Sequence, residues 1–201
     1  MAGCQLYLSI PAGFSGAASL VEEALAASRA PSLLITGKAE PARLRALRDA
    51  AHRQNAAALI ENDYALAKAE GFDGVHLQEG SQPARDALGP DAIIGADCSL
   101  SRHAAMTLAE AGADYIAFGR DGEGGLDGLA AMIDWWSGMF EIPCVAHLRA
   151  NAAGDDWRQI VAAGADFILV GPELWDEPAA IHDRIRQLAG YCDTGATRAI
   201  S

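Results

Sequence analysis

The sequence predicts a single-domain (β/α)8 TIM barrel, an α/β fold with eight parallel strands. Three observations lead there. Eight short, nearly continuous apolar runs alternate with longer Ala-rich segments, each run is bounded by Gly, Pro, Asp or Asn, and none opens a Gly-x-Gly-x-x-Gly loop. Apolar runs without polar alternation suit parallel strands buried on both faces. An open doubly wound sheet has about six strands and holds its ligand on a Gly-rich first turn, so eight runs without that loop favour the barrel. At 201 residues the chain is compact for a fold that usually takes about 250.

The strands are expected at 5–10, 32–36, 57–61, 74–77, 92–96, 115–118, 144–147 and 167–170, with helices at 18–28, 41–53, 102–111 and 126–140. In 41–53, Leu44, Leu47 and Ala51 recur at helical spacing while Arg43, Arg45 and Arg48 can face water. One local design occurs three times: Gly71-Phe72-Asp73, Gly112-Ala113-Asp114 and Gly164-Ala165-Asp166. In each, a Gly takes the left-handed conformation just past a helix end, and an Asp precedes the next strand. No linker or low-complexity stretch divides the chain, so residues 1–190 read as the barrel and 191–201 as a flexible tail.

Hydrophobic residues make up 51% of the chain but aromatics only 6%, so Ala, Leu, Ile and Val must fill the interior. Fifteen Lys and Arg against 27 Asp and Glu give a net charge of −12. With no basic patch, that field argues against a nucleic-acid partner. No apolar stretch approaches the roughly 20 residues of a membrane helix, and the N-terminus lacks a basic and then apolar leader, so a cytoplasmic protein without membrane attachment is expected. Cys4, Cys98, Cys144 and Cys192 are scattered, without metal-ligand or redox spacing, and read as reduced core thiols. Trp135-Trp136 and Met139-Phe140 make one helix end unusually aromatic, as core or as a homo-oligomer contact.

In such a barrel, function gathers at the C-terminal ends of the strands. Those ends carry Gly37-Lys38, Glu61-Asn62-Asp63, His76-Leu77-Gln78-Glu79-Gly80, Asp97-Cys98-Ser99, Gly119-Arg120-Asp121, His147-Leu148-Arg149 and Gly171-Pro172-Glu173. Polar and ionisable residues thus cluster at one end of the fold, and the opposite end carries mostly Gly, Ala and Asp.

The order of these residues resembles the thiamine phosphate synthase family, including its thiazole tautomerase relatives. The resemblance is carried by Leu59-Ile60-Glu61-Asn62-Asp63-Tyr64, Gly71-Phe72-Asp73-Gly74-Val75-His76-Leu77-Gln78 and Gly89-Pro90-Asp91-Ala92-Ile93-Ile94-Gly95. It continues through Ala111-Gly112-Ala113-Asp114-Tyr115-Ile116-Ala117-Phe118-Gly119 and Ile142-Pro143-Cys144-Val145-Ala146 to Ala163-Gly164-Ala165-Asp166. These blocks span about residues 55–171, and the first 50 match loosely. The resemblance implies a barrel that joins an aminopyrimidine diphosphate to a thiazole phosphate, releasing pyrophosphate with Mg²⁺. It implies substrate and pyrophosphate contacts from Lys38, Asn62, Asp63 and Gln78, and at the same mouth Arg120, a bidentate phosphate donor, and Gly171 are expected to join them. Asp63 would hold Mg²⁺, as hard divalent ions use one or two carboxylates plus phosphate oxygens, and Glu79 stands near the family's second carboxylate. From the residues alone, Asn62 or Asp63 can equally cap the helix starting at Tyr64.

Several positions depart from the family's pattern. After the second strand only Lys38 remains of a Gln, Arg and Lys set. Arg120 stands where the loop after the sixth strand otherwise supplies Thr and Lys, and where the tautomerases place a His. Ala146-His147-Leu148 replaces a Gly-Gly turn, and Asp97 replaces a Ser. A carboxylate about 4 Å from a phosphate oxygen repels it by about 4 kcal/mol at an effective dielectric near 20. Asp97 and His147 therefore read as a replacement site. Besides the synthase, the changes allow a repurposed barrel that binds a small phosphorylated ligand or a partner, or a tautomerase or isomerase using His76, His147 or Asp97 as acid or base.

Overall fold

A computed structural model describes residues 3–78, 80–120, 122 and 124–195 of the chain. Its strands are β1 (Gln5–Pro11), β2 (Ser32–Thr36), β3 (Ala57–Glu61), β4 (Gly74–Leu77), β5 (Ile93–Asp97), β6 (Tyr115–Phe118), β7 (Cys144–Leu148) and β8 (Phe167–Val170). Each pairs in parallel with the next, and β1 pairs with β8, which closes the barrel in sequence order. Helices α1 (Ala18–Ser28), α2 (Pro41–Arg53), α3 (Tyr64–Glu70), α4 (Gln82–Leu88), α5 (Arg102–Glu110), α6 (Gly125–Ser137), α7 (Gly154–Ala162) and α8 (Ile181–Gly195) alternate with the strands. Among the described residues no helix is long and apolar enough to cross a membrane.

The expected boundaries shift where the sheet ladder or packing overrides the local pattern. β1 reaches Pro11, and β7 reaches Leu148, because Thr36 and Val170 on the neighbouring strands stand beside them in register. β5 runs one residue later than expected, and Asp97 pairs in register with Ala117. That moves Asp97 from a loop into a strand. α6 stops at Ser137 because the chain folds back there, stacking Phe140 on the fully buried Trp136 at 4.1 Å between ring centroids. α8 continues through residues 191–195, where the buried Cys192 joins the core and Tyr191 packs against Trp157. Half of the segment read as a tail is therefore the last turn of a packed helix, and residues 196–201 lie outside the described residues.

Two apolar layers result from the strand period of two. Leu6, Leu8, Ile10, Leu33, Ile35, Ala58, Ile60, Val75, Ile94, Ile116 and Ile168 belong to the large cluster between strands and helices. Tyr7, Leu34, Leu59, Tyr115, Ala117, Val145 and Leu169 form a second cluster, which fills the barrel interior. Two strand glycines make room for this interior. A Cβ on Gly95 would stand 1.9 Å from the Tyr115 ring, and one on Gly74 would stand 1.9 Å from the Ile93 carbonyl oxygen.

The thrice-repeated Gly-x-Asp design seals the N-terminal end of the barrel. Gly71, Gly112 and Gly164 all have φ between +69° and +98°. Each following Asp accepts a hydrogen bond from the backbone N–H of the preceding strand: Asp73 from Ala58, Asp114 from Ile94 and Asp166 from Cys144, at 2.7, 2.7 and 2.8 Å. These donors belong to fully buried residues. The repeat thus caps β3, β5 and β7, three strand starts that the closed ladder leaves short of acceptors.

Candidate active site at the C-terminal mouth

The inward parity that places Leu59, Tyr115 and Leu169 in the interior brings Ser9, Thr36, Glu61, His76, Asp97 and His147 to its upper layer. Above this layer opens a cavity of about 770 Å³, lined on one side by Glu61, Gly119, Arg120, His147 and Gly171. Small-molecule sites commonly enclose roughly 300–1,000 Å³, and the cavity falls within that range.

The floor is a connected polar column. The Tyr7 and Tyr115 hydroxyls lie 3.1 Å apart, and the Tyr115 hydroxyl lies 2.8 Å from His76 Nδ1. On its other side the His76 ring presents Nε2 to Asp97 Oδ2 at 3.7 Å, and His147 Nε2 approaches the same oxygen at 3.3 Å. His76 is fully buried and Asp97 is 6% exposed, whereas His147 reaches the cavity. Burial pushes the His76 imidazole below its ordinary value, although the Asp97 carboxylate opposes the shift. For Asp97, burial alone would raise the carboxyl, but the adjoining His147 and His76 rings outweigh it and hold the group below the usual carboxylate range. Burial also raises both tyrosine hydroxyls, so they remain protonated.

Arg120 closes the site from above. Its Nη2 lies 2.5 Å from Glu61 Oε1 and its Nη1 lies 3.7 Å from Asp97 Oδ2. The Asp97 charge therefore faces two imidazoles and a guanidinium. A carboxylate so enclosed does not present a bare anion to a phosphate, and the repulsion expected from sequence is largely offset.

Lys38, Asn62, Asp63 and Gln78 stand at strand ends around this cavity without lining it. Lys38 follows β2 and is exposed beside Gly37, which does line the cavity. Asn62, at φ +58°, turns back so that its Oδ1 accepts the Gln78 N–H at 2.9 Å, tying the ends of β3 and β4. Asp63 caps α3, accepting the Leu66 N–H at 2.8 Å through Oδ1. Its second oxygen makes no hydrogen bond among the described residues. Gly171 lines the cavity, but its N–H donates to Leu148 O, and the Glu173 carboxylate lies over its Cα. Glu79 and Asp121 lie outside the described residues.

Glu61, Tyr115 and Arg149 are cavity or floor residues to which sequence reasoning gave no site role. For Glu61 and Tyr115 the available signal was strand parity: both occupy the same inward register as recognised interior residues. Arg149, which the sequence placed at the end of the seventh strand without a role, is mostly exposed on the cavity wall, 3.8 Å from Glu173.

Fold and mouth together define a (β/α)8 barrel whose strand ends converge on a cavity of mixed polar and apolar lining, the arrangement of a barrel enzyme. Residues 21–174 match the family model described as thiamine monophosphate synthase. The thiamine-phosphate synthase of Erythrobacter litoralis is 41% identical over 152 residues, 70% of each chain. That of Rhodospirillum centenum is 36% identical over 194 residues, 89% of this chain and 93% of the relative. The structure of thiamine phosphate pyrophosphorylase from Pyrococcus furiosus superposes with a TM-score of 0.76 at 23% identity, covering 95% of this chain and 96% of that one. This chain belongs to the thiamine monophosphate synthase family.

Proposed function

We propose that the protein is a thiamine-phosphate synthase, joining an aminopyrimidine diphosphate to a thiazole phosphate with release of pyrophosphate. The observation that carries this reading is the match to the Rhodospirillum centenum synthase, which extends over 93% of that protein. In the reaction the bond between the pyrimidine methylene carbon and the diphosphate oxygen breaks. Pyrophosphate leaves with the electron pair, and the thiazole nitrogen supplies the pair for the new C–N bond. Catalysis of this kind rests on positioning and charge stabilisation.

Arg120 and Lys38 would neutralise the departing diphosphate, Arg120 as a bidentate donor once substrate oxygens displace Glu61. Asn62, Asp63 and Gln78, tied together at the ends of β3 and β4, would position it. The buried column Tyr7–Tyr115–His76–Asp97 lies beneath and would hold His147, which does line the cavity, in place for an aminopyrimidine ring. The Asp63 carboxylate suits Mg²⁺, having one oxygen on the helix cap and one open to solvent. Mg²⁺ would neutralise phosphate oxygens there, with Asp63 as its protein ligand. A cytoplasmic location is supported by the four free thiols.

The repurposed barrel is less favoured, since enclosing Asp97 removes its chief electrostatic argument. Incubation of the purified protein with both substrates and Mg²⁺ tests the proposal. Formation of thiamine phosphate and pyrophosphate, reduced about a hundredfold in kcat/KM by Asp63→Ala, is the expected result. Absence of product from folded wild-type protein would overturn it.

A further inference from the structure

Three buried atoms that lack hydrogen-bond partners converge beneath the cavity: His76 Nε2, Asp97 Oδ2 and His147 Nε2. All three lie within 4.8 Å of one another. They come from β4, β5 and β7, and the shared inward parity of these strands brings them together. A buried polar atom without a partner is costly, by about 1–3 kcal/mol, and three aimed at one point indicate a shared partner.

One arrangement of the surrounding bonds accommodates a cation as that partner. His76 Nδ1 lies 2.8 Å from the Tyr115 hydroxyl, and that hydroxyl is 3.1 Å from Tyr7 Oη. When Nδ1 donates to Tyr115, and Tyr115 in turn donates to Tyr7, His76 Nε2 carries a lone pair directed at the Asp97 carboxylate. Two acceptors then face each other at 3.7 Å, and His147 Nε2 adds a third group at 3.3 Å from the same oxygen. For metal–ligand bonds of about 2.1 Å, the corners of a tetrahedron stand about 3.4 Å apart. The Arg120 guanidinium does not fill the position: its Nη1 stays 3.7 Å from Asp97 Oδ2 while Nη2 is held by Glu61.

We propose that His76, Asp97 and His147 form a binding site for one divalent transition-metal ion of the zinc class, with its remaining position open to the cavity. Two imidazoles and one carboxylate suit borderline ions, whereas Mg²⁺ prefers an all-oxygen set. The site is therefore chemically distinct from the expected Mg²⁺ position at Asp63, and it stands independently of the synthase reading. Tyr115 orients His76 from behind, as hydrogen-bonded partners commonly orient metal-ligating imidazoles. Gly95 enables this, since any larger residue would displace the Tyr115 ring. His147, the ligand that lines the cavity, places the open position within reach of a bound water or substrate oxygen.

Equilibrium titration of the chelator-stripped, folded protein with Zn²⁺, and with Co²⁺ as the spectroscopic probe, tests the site. The expected result is one equivalent bound with submicromolar dissociation constant against a competing chromophoric chelator, and a visible Co²⁺ band of low coordination number. His147→Ala and Asp97→Asn should each weaken binding by at least about a hundredfold, the upper range for loss of a mere orienting partner. Asp63→Ala should leave Zn²⁺ binding unchanged. His147 is partly exposed, so its variant keeps the test open should Asp97→Asn fail to fold. Binding weaker than about 100 μM, or binding unaffected by His147→Ala, would overturn the proposal and leave a proton-sharing His–Asp–His cluster in its place.

Discussion

Arg120 and Glu61 form an ion pair across the barrel mouth, with Nη2 and Oε1 2.5 Å apart. Arg120 follows β6 and Glu61 ends β3, so the pair spans the opening from opposite sides. Glu61 Oε2 also faces the Gly37 N–H at 3.4 Å. The guanidinium is thus held over the cavity by a carboxylate that an incoming phosphate must replace.

Removing the two partners should have opposite effects on phosphate affinity. Arg120→Gln is expected to lower kcat/KM for the aminopyrimidine diphosphate by about tenfold to a hundredfold, as charge-assisted hydrogen bonds contribute about 1.5–3 kcal/mol. Glu61→Gln frees Arg120 and should tighten inhibition by pyrophosphate several-fold. Steady-state kinetics with pyrophosphate as inhibitor checks both. Weaker pyrophosphate binding in the Glu61 variant would show that Arg120 needs Glu61 for orientation.

The Asp caps at the opposite end should govern stability without touching catalysis. Asp114→Ala and Asp166→Ala each leave a buried backbone N–H, of Ile94 or Cys144, without its acceptor. Each is expected to cost about 1–3 kcal/mol in urea unfolding, with KM for both substrates unchanged. Unfolding midpoints equal to wild type would refute the capping role.

Gly95→Ala places a methyl group where the Tyr115 ring lies, 1.9 Å away. Overpacking of this kind costs about 1–3 kcal/mol. For a chain of this size each kcal/mol lowers Tm by about 2–4 °C. Because Tyr115 contacts His76, the substitution should also alter the floor of the site. Thermal unfolding combined with imidazole NMR shifts of His76 would detect both effects; an unchanged His76 resonance would separate Tyr115 from the site.

Burial pushes the Cys144 thiol up to about 12. A thiol reacts as its thiolate, and at pH 8 about one part in ten thousand of such a thiol is ionised. Alkylation of Cys144 in the native protein should therefore be negligible at pH 8, rising with pH, and rapid in denaturant, where the ordinary thiol value returns. Peptide mapping after iodoacetamide treatment reads the difference directly. Native labelling at the denatured rate would mean that β7 opens freely.

Local chemistry was legible in the chain. The eight apolar runs, the Gly-x-Asp repeat and the limits of α1 and α2 follow from hydrophobic period, chain punctuation and the conformational freedom of glycine. Asp63 illustrates the limit of such reading, because a carboxylate after a strand serves as helix cap or metal ligand with the same sequence signature. The structure shows the cap, and the second oxygen leaves the other role open.

Strand register lay beyond local pattern. A shift of one residue in β5 turned Asp97 from a loop anion into a buried interior carboxylate, because pairing with β6 extends the strand through it. Glu61 likewise gained meaning only from Arg120 across the opening, and Arg149 from Glu173 after the adjacent strand. Side-chain parity along one strand is a local property, but which parity faces inward depends on the sheet's closing.

The amino-acid sequence by itself determined the barrel, its order of elements, its family and the end of the fold at which polar groups collect, since each of these rests on short-range pattern. Only the tertiary structure decided that His76, Asp97 and His147 point at one another, and that Arg120 reaches Glu61. Those contacts join side chains from different strands, and the register and curvature of the sheet set their distances.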